Sequence, residues 1–466
     1  MMRKLIPLIG ISIFLCGCPP KQPYVRPALP VPDAWPPSSN PAPGTSSAPL
    51  APDVKWQDFF TDQRLQKVIE LALANNRDLR IATLNIEQYQ AFYRIRSSQL
   101  YPTISASASG SAYRLPLNLS GGDQAKTVAE VQVGLGTVAW ELDFFGRIRS
   151  LKSAALEQYL ATEQARSAAQ ISLLAAVANT YLALAGDREN LRLAQVTRDA
   201  QRASYELIRQ SRDAGIASDL DVSQARSQVE TAQVQIERYS GQVALDESAL
   251  ILLVGAPVPP DLLSDQLGNV GALKDVEPGL PSDVLLRRPD ISQAEHELKA
   301  ANANIGAARA AFFPQISLTA AVGIASSDLT NLFKPAAGTW NVAPQAILPI
   351  FDYGARQANY SATVAQQDIA VAAYEQAIQT AFKEVSDSLS LRVTLVAQQG
   401  AQQSLVNSLE EAYQLSEARY KAGIDSYLSV LVAQRALFAA QQVLVVFHQQ
   451  RLNNLVTLYK VLGGGA

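Results

Sequence analysis

The chain has 466 residues, a formal net charge of −3 and only 17% charged residues. That balance excludes a nucleic-acid partner, which needs a clustered basic face. Two cysteines (Cys16, Cys18) and two histidines (His296, His448) exclude a zinc site, a sulfur ligand for a metal, a disulfide and a Cys/His nucleophile in the body; no cofactor or nucleotide-binding motif occurs, and no metal is expected.

The first element is a leader. Arg3 and Lys4 precede an apolar stretch from Leu5 to Leu15, closed by Leu15-Cys16-Gly17-Cys18. A basic start, a short apolar run and small residues at the cut make residues 1–17 a secretory signal. Its ending resembles a bacterial lipobox, which implies that Cys18 is acylated and becomes the mature N-terminus. Pro19 stands where an aspartate would favour inner-membrane retention, so export to the outer membrane is expected. Residues 18–55 then carry twelve prolines from Pro19 to Pro52, which favours an extended tether rising about 3 Å per residue. Beyond the leader no apolar run comes near the roughly 18 residues of a spanning helix. A membrane crossing is therefore expected to use strands.

Residues 56–255 read as helix, two strands, a very long helix, a tight turn and a helix. Pro102 ends the first helix, because the residue before a proline is pushed out of helical geometry. Strands follow at about 103–113 and 128–140. In the first, Thr103, Ser105, Ser107, Ser109 and Ser111 alternate with Ile104, Ala106, Ala108, Gly110 and Ala112. In the second, Val131, Val133, Leu135, Thr137 and Ala139 oppose Glu130, Gln132, Gly134 and Gly136. Asp143, beside Gly146, is placed to cap the helix that begins there. From Arg147 to Asp213 there is no proline and one glycine, Gly186, which allows a helix on the order of 100 Å. Leu174, Val177, Tyr181, Leu184, Arg188 and Leu191 form a coiled-coil seam broken by one arginine. Gly215 supplies a left-handed helix end, and Ser218 the N-cap of the next helix.

After a linker or equatorial segment, 256–284, the pattern returns over 285–463. Arg287, Arg288, Pro289 and Asp290 read as a helix start serving fold and packing. Pro314 precedes strands at about 315–325 and 339–348, and Asp352 beside Gly354 caps a second long helix reaching Ala422. Tyr205, Gly215, Leu220 and Gly255 fall on Tyr413, Gly423, Leu428 and Gly463, 208 positions on; Ser426 plays the part of Ser218. Pro102 and Pro314 also align. The body is an internal two-fold repeat.

Four amphipathic strands of about ten residues fit a transmembrane β-barrel, a half-buried soluble sheet being the competing reading. Four strands cannot close alone, and open edges are forbidden in lipid. Two copies would supply eight strands and three would supply twelve; the strands do not choose. The long helices carry narrow apolar seams with Ala, Gln, Ser and Asn elsewhere. A water-filled tube needs that pattern, where a solid bundle would want wider stripes.

The stretch LLRRPDISQAEHELKAANANIGAARAAFFPQISL from Leu285 resembles the outer membrane efflux protein family, the TolC-like channels, in its lipoprotein branch. WELDFFGRIR at Trp140, PIFDYGARQ at Pro349 and SEARYKAGIDSYLSVLVAQ at Ser416 support it, and the likeness runs from about Trp56 to Gly463. It implies an α+β membrane protein: a homotrimer whose twelve-stranded barrel, four strands per chain, lies in outer-membrane lipid and continues as a long periplasmic α-helical barrel. It also implies a periplasmic adaptor (membrane fusion) protein, an inner-membrane RND transporter, and a passive, non-enzymatic exit duct.

On this reading the tip that docks the adaptor comprises Arg212, Gly215, Ser218, Asp219, Arg419, Gly423 and Ser426. The family's acidic gate position falls on Gln414 here, so Glu410, Glu411, Tyr413, Gln414 and Glu417 are the gate candidates. A protein-secretion duct and a structural envelope lipoprotein are the competing functions.

Overall fold

The computed structural model describes residues 24–36, 49–118, 124–271, 273–274, 276–279 and 281–465. The signal stretch and Cys18 lie outside them. In chain order come α1 (Trp56–Phe59), α2 (Gln63–Asn75), α3 (Arg77–Ser98), β1 (Ser105–Leu115), β2 (Lys126–Glu141), α4 (Arg147–Asp213) and α5 (Asp219–Val254). The second half adds α6 (Pro281–Leu285), α7 (Pro289–Ala310), β3 (Gln315–Ser326), β4 (Gly338–Ile347), α8 (Ala355–Lys421) and α9 (Tyr427–Val461). α4 and α8 are each 67 residues long. Contacts divide the chain into two units.

The first unit takes in 86–162 and 294–374 and holds the sheet. Its order is β1-β2-β3-β4, antiparallel throughout. The register sorts residues by face. Ala106, Leu135, Val322 and Trp340 form one rung, and Ser107, Gly134, Gly323 and Thr339 the next. One face is thus apolar and the other polar or small, as period-two alternation requires.

The alternation in β2 breaks where the periodicity alone carried it through. The register shifts between Thr137 and Trp140, and Ala139 adopts φ 50°. The Ala139 N–H is met by the Thr319 hydroxyl at 3.0 Å. This bulge puts Trp140, not Ala139, opposite Leu318. β1 and β4 are the two sheet edges among the described residues.

In the second unit (28–85, 163–293 and 375–466) the α4 seam is buried at Leu174, Val177, Tyr181 and Leu184. The Tyr181 hydroxyl donates to the Leu262 carbonyl at 3.0 Å. Arg188, the break in the seam, pairs with Glu247 of α5 at 2.8 Å and Asp265 at 3.1 Å. α4 and α9 each hold a stretch apolar enough, by length and composition, to cross a bilayer. Run length alone passes over both, because polar residues such as Asn179 and Thr180 in α4 and Gln434, Arg435, Gln441 and Gln442 in α9 punctuate them. The buried α4 seam shows where much of that apolar surface goes.

Arg288 anchors a dense polar contact in this unit. It is buried, and its guanidinium reaches Asp290 at 2.7 Å, Glu384 of α8 at 2.8 Å and the Val461 carbonyl closing α9 at 2.7 Å. One side chain ties the start of α7, the middle of α8 and the end of α9. Burial alone would raise the Asp290 carboxyl, but the hydrogen bonds and charge of Arg288 hold it below the usual range.

A carboxyl pair joins α4 to α5. Burial, then the hydrogen bond and charge of Asp246, push Asp187 up to about 7. Asp246 Oδ2 is buried with no N–H donor, so an O–H on Asp187 is the group that satisfies it. The folded chain holds this proton more tightly than the unfolded chain. Its stabilisation is therefore present below the ordinary aspartate value of 3.8 and is lost as pH rises through about 7. Discounting for a site that water half reaches, the effect is about 1–2 kcal/mol. Asp187→Asn should unfold at a higher temperature than the parent at pH 8.5 and lose that advantage at pH 5. Equal pH dependence in thermal scans of the two proteins would count against the shared proton.

Candidate functional site

The sheet face built on Ile104, Leu135, Trp140, Leu318, Val322, Trp340 and Val342 forms a continuous apolar surface, and Leu135, Val322, Trp340 and Val342 are exposed on it. Only lipid or another apolar surface can cover such a face at low cost. The serine, glycine, threonine and asparagine rungs occupy the other side. Glycine recurs on this side for a steric reason: a Cβ at Gly136 would lie 2.5 Å from the Ala320 carbonyl oxygen.

Each strand-to-helix junction is closed by an aspartate. Asp143 accepts from the backbone N–H of Ile148 at 3.0 Å and of Arg149 at 2.9 Å, and from the Arg149 guanidinium. Asp352 accepts from Gly354 N–H at 3.1 Å, Arg356 N–H at 3.2 Å and the Arg356 guanidinium at 2.6 Å. The Arg356 bond holds the Asp352 carboxyl below its usual range. Gly146 and Gly354 sit at φ 76° and 84° just before the helices start.

Exposed aromatics gather just outside the strand ends: Tyr101, Phe312 and Phe313 ahead of β1 and β3, and Phe144, Phe351 and Tyr353 after β2 and β4. The sequence reading missed this set. Its signal was available as aromatic pairs immediately outside the strand ends, in the place of the girdle that barrels carry at the lipid–water boundary.

In the second unit, α4 and α8 end alike. The Gly215 N–H bonds Arg212 O at 2.9 Å and the Ile216 N–H bonds Ser211 O at 2.8 Å; Gly423 and Ile424 repeat this with Tyr420 and Arg419, each at 2.9 Å. The two glycines lie at φ 79° and 71°, completing paired left-handed helix ends. The helix starts that follow differ. Ser218 forms a reciprocal capping box with Asp221, whereas Ser426 occupies the N-cap position without a side-chain bond. The capping role expected of the Ser426 hydroxyl is thus corrected. Residue 429 is a serine, and its N–H goes to the Ser426 carbonyl at 3.1 Å.

Arg212 reaches Asp213 at 3.1 Å and Asp219 at 3.2 Å, while Arg419 grips Asp425 at 2.5 Å, so both arginines are tied locally. Ile216, Leu220, Ile424 and Leu428 are all exposed here. The 208-residue offset could have found these two apolar pairs, which the sequence reading did not list among the tip residues.

Among the gate candidates, Glu410, Glu411 and Gln414 are exposed and Glu417 is half-buried and paired with Lys421 at 2.9 Å. Tyr413 lies elsewhere in character. It packs on a buried cluster of Ile208, Ala225, Tyr427, Val430 and Leu431, and burial followed by the Glu417 charge raises its phenol. The structure brings Tyr413 into the helix packing behind the tip.

A four-stranded sheet with one apolar face and two open edges, continued by 67-residue helices, defines a subunit of a TolC-like outer-membrane channel. The chain belongs to the outer membrane efflux protein family, whose model matches residues 68–256 and 280–464. It is 46% identical over 465 residues to the toluene efflux pump outer membrane protein TtgC of Pseudomonas putida, covering 100% of this chain and 96% of that one. It is 41% identical over 459 residues to outer membrane protein OprJ of Pseudomonas aeruginosa, covering 98% and 95%. The crystal structure of the open state of the MtrE outer membrane channel of Neisseria gonorrhoeae superposes with a TM-score of 0.86 at 37% identity, covering 95% and 97%. The fold is that of the trimeric outer-membrane channels, and the outer membrane is where the chain resides.

Proposed function

We propose that the chain is the outer-membrane exit duct of a tripartite, RND-type efflux pump, passing drugs, solvents or other small molecules without chemistry of its own. The carrying observation is the sheet: apolar on one face, polar and small on the other, with β1 and β4 as edges. Three copies joined edge to edge give twelve strands around water, and no strand edge is left in lipid. The relative named for toluene supports a small-molecule cargo. Energy comes from the inner-membrane transporter, reached through a periplasmic adaptor, and acylated Cys18 anchors the mature chain.

The paired turns at Gly215 and Gly423, with Arg212, Ser218, Asp219, Arg419 and Ser426, form the adaptor-facing tip, and Ile216 and Ile424 supply its apolar contact. Asp143 and Asp352 set the joint between barrel and helices. Glu410, Glu411, Gln414 and Glu417 are the residues from which the gate is drawn, with Tyr413 bracing them. At φ 71° a β-branched residue is strained by about 1–2 kcal/mol, too little to unfold the chain but enough to reshape the turn. Gly423→Val should sensitise cells to exported compounds at least fourfold, about two doubling dilutions, with outer-membrane level and trimer intact. Unchanged resistance would remove the tip assignment.

A further inference from the structure

A helix in the wall of a tube has a neighbour on each side, so it carries two seams. α3 and α8 each fill one of theirs within the chain. In α3 the Tyr93 ring lies under Lys152 of α4 at 5.8 Å, and the Thr83 hydroxyl accepts from Arg166 of α4 at 3.4 Å. In α8 the Tyr360 hydroxyl accepts from Arg309 of α7 at 3.2 Å, and the Gln367 amide donates to Asn302 of α7 at 3.5 Å. Residues two apart stand about 200° apart around a helix. The far side of α3 therefore runs through Ile81, Leu84, Gln88, Ala91 and Ile95, and that of α8 through Ala358, Ala362, Ala365, Ile369 and Ala372. All ten are exposed. On α3 the exposed ring of Phe92 widens the apolar stripe.

The open sheet edges say what covers these two sides. α3 ends at Ser98 and leads into β1, which begins at Ser105; β4 ends at Ile347 and leads into α8, which begins at Ala355. β1 and β4 are the strands with a free edge. Joining β1 of one copy to β4 of the next brings α3 of the first beside α8 of the second, α3 running toward the sheet and α8 away from it. Their spacings then coincide. Counted away from the sheet, α3 presents Ile95, Ala91, Gln88, Leu84 and Ile81, in steps of four, three, four and three. α8 presents Ala358, Ala362, Ala365, Ile369 and Ala372 in the same steps, the period of a coiled-coil seam. Ile95 and Ala358 each stand three residues inside the helix end nearest the sheet, so the two series start level. Bulk matches as well. Ile95, Gln88 and Ile81 meet alanines, which lets the helix axes approach to about 8 Å.

We propose that the bare side of α3 docks antiparallel on the bare side of α8 of the next copy, Ile95 opposite Ala358 and Ile81 opposite Ala372. This rests on the edge-to-edge closure of the sheet proposed above, and adds to it a helical interface with a defined register. Flanking charge does not select the pairing. Arg80 falls across from Glu375, which attracts, and Glu87 across from Asp368, which repels. The apolar seam selects it.

The test uses the full chain in outer membranes. Ala91→Cys combined with Ala362→Cys, oxidised there, should link chains into two- and three-chain species on a non-reducing gel. Ala91→Cys with Ala372→Cys, about 15 Å further along α8, should link at least tenfold less, with each single substitution as the baseline. Ile95→Glu should lower the trimer fraction at least tenfold, and adding Ala358→Arg should recover most of it. A parent-like circular dichroism spectrum of Ile95→Glu separates lost docking from misfolding, and the cysteine link does not depend on that variant. Equal linking by the two cysteine pairs, or no recovery on adding Ala358→Arg, would overturn the seam. A trimer that conducts in a planar bilayer yet gives no Ala91–Ala362 link overturns the seam and leaves the duct standing. A chain that stays monomeric and makes no pore overturns both.

Discussion

Arg288→Met should cost about 3 kcal/mol and cut the amount of protein in the outer membrane by an order of magnitude. Removing one partner of a buried ion pair costs about 3–5 kcal/mol. The lower end applies because the Asp290 and Glu384 side chains remain 44% and 43% exposed and regain some hydration. The loss is not simply of charge. Arg288 also satisfies the Val461 carbonyl at 2.7 Å, a helix-end group with few other donors. Arg288→Lys keeps the charge but lacks the planar fork, and should fall between the two. Adding Glu384→Gln to Arg288→Met should recover part of the loss, since one stranded carboxylate is gone. The check is outer-membrane abundance by quantitative blot together with the unfolding temperature of the purified protein. A parent-like Arg288→Met would mean that the three helices are held there by apolar packing instead.

The second large effect lies in the sheet. Gly136→Val should abolish barrel assembly, because its Cβ would sit 2.5 Å from the Ala320 carbonyl oxygen and 2.8 Å from Ala321 Cα, both backbone atoms of the neighbouring strand. Ordinary overpacking costs about 1–3 kcal/mol by moving side chains; here only the strand itself can move. Gly323 is hemmed in likewise by Val133 O and Gly134 Cα. Gly110→Val is the control, as its Cβ meets nothing nearer than Glu130 O at 3.9 Å. Gly136→Val should be absent from the outer membrane and from trimer fractions, with Gly110→Val present in both. Normal trimer from Gly136→Val would show that the strands can part without loss.

These two sites mark the boundary of what the chain discloses by reading. The repeat, the strands, the 67-residue helices and the glycine turns were all legible, since each rests on local periodicity or on one residue with a restricted backbone. Arg288 was legible only as part of a helix start. Its partners Glu384 and Val461 lie 96 and 173 residues away, and no local pattern joins them. The strap was read only as an extended tether, because proline density describes stiffness and says nothing of Glu295, 269 residues on from Arg26, which bonds it. The bulge at Ala139 escaped because alternation holds up to Thr137 and Trp140 resumes it one residue late.

At the tip, the 208-residue repeat suggested equal roles for Ser218 and Ser426. The difference lies three residues downstream, where Asp221 can return a hydrogen bond and Ser429 does not. Tyr413 shares a helix face with Glu417, as spacing implied. Which face the helix buries is decided by α5 and α9, and the sequence of α8 alone does not carry that.

The sheet as a shared wall around water is tested most directly by current. Purified protein in a planar bilayer should open discrete, ohmic steps, each attributable to three chains counted by chemical cross-linking, and Gly136→Val should give none. A monomer that makes no pore, with Leu135, Val322 and Trp340 shielded from lipid-borne quenchers, would contradict the account.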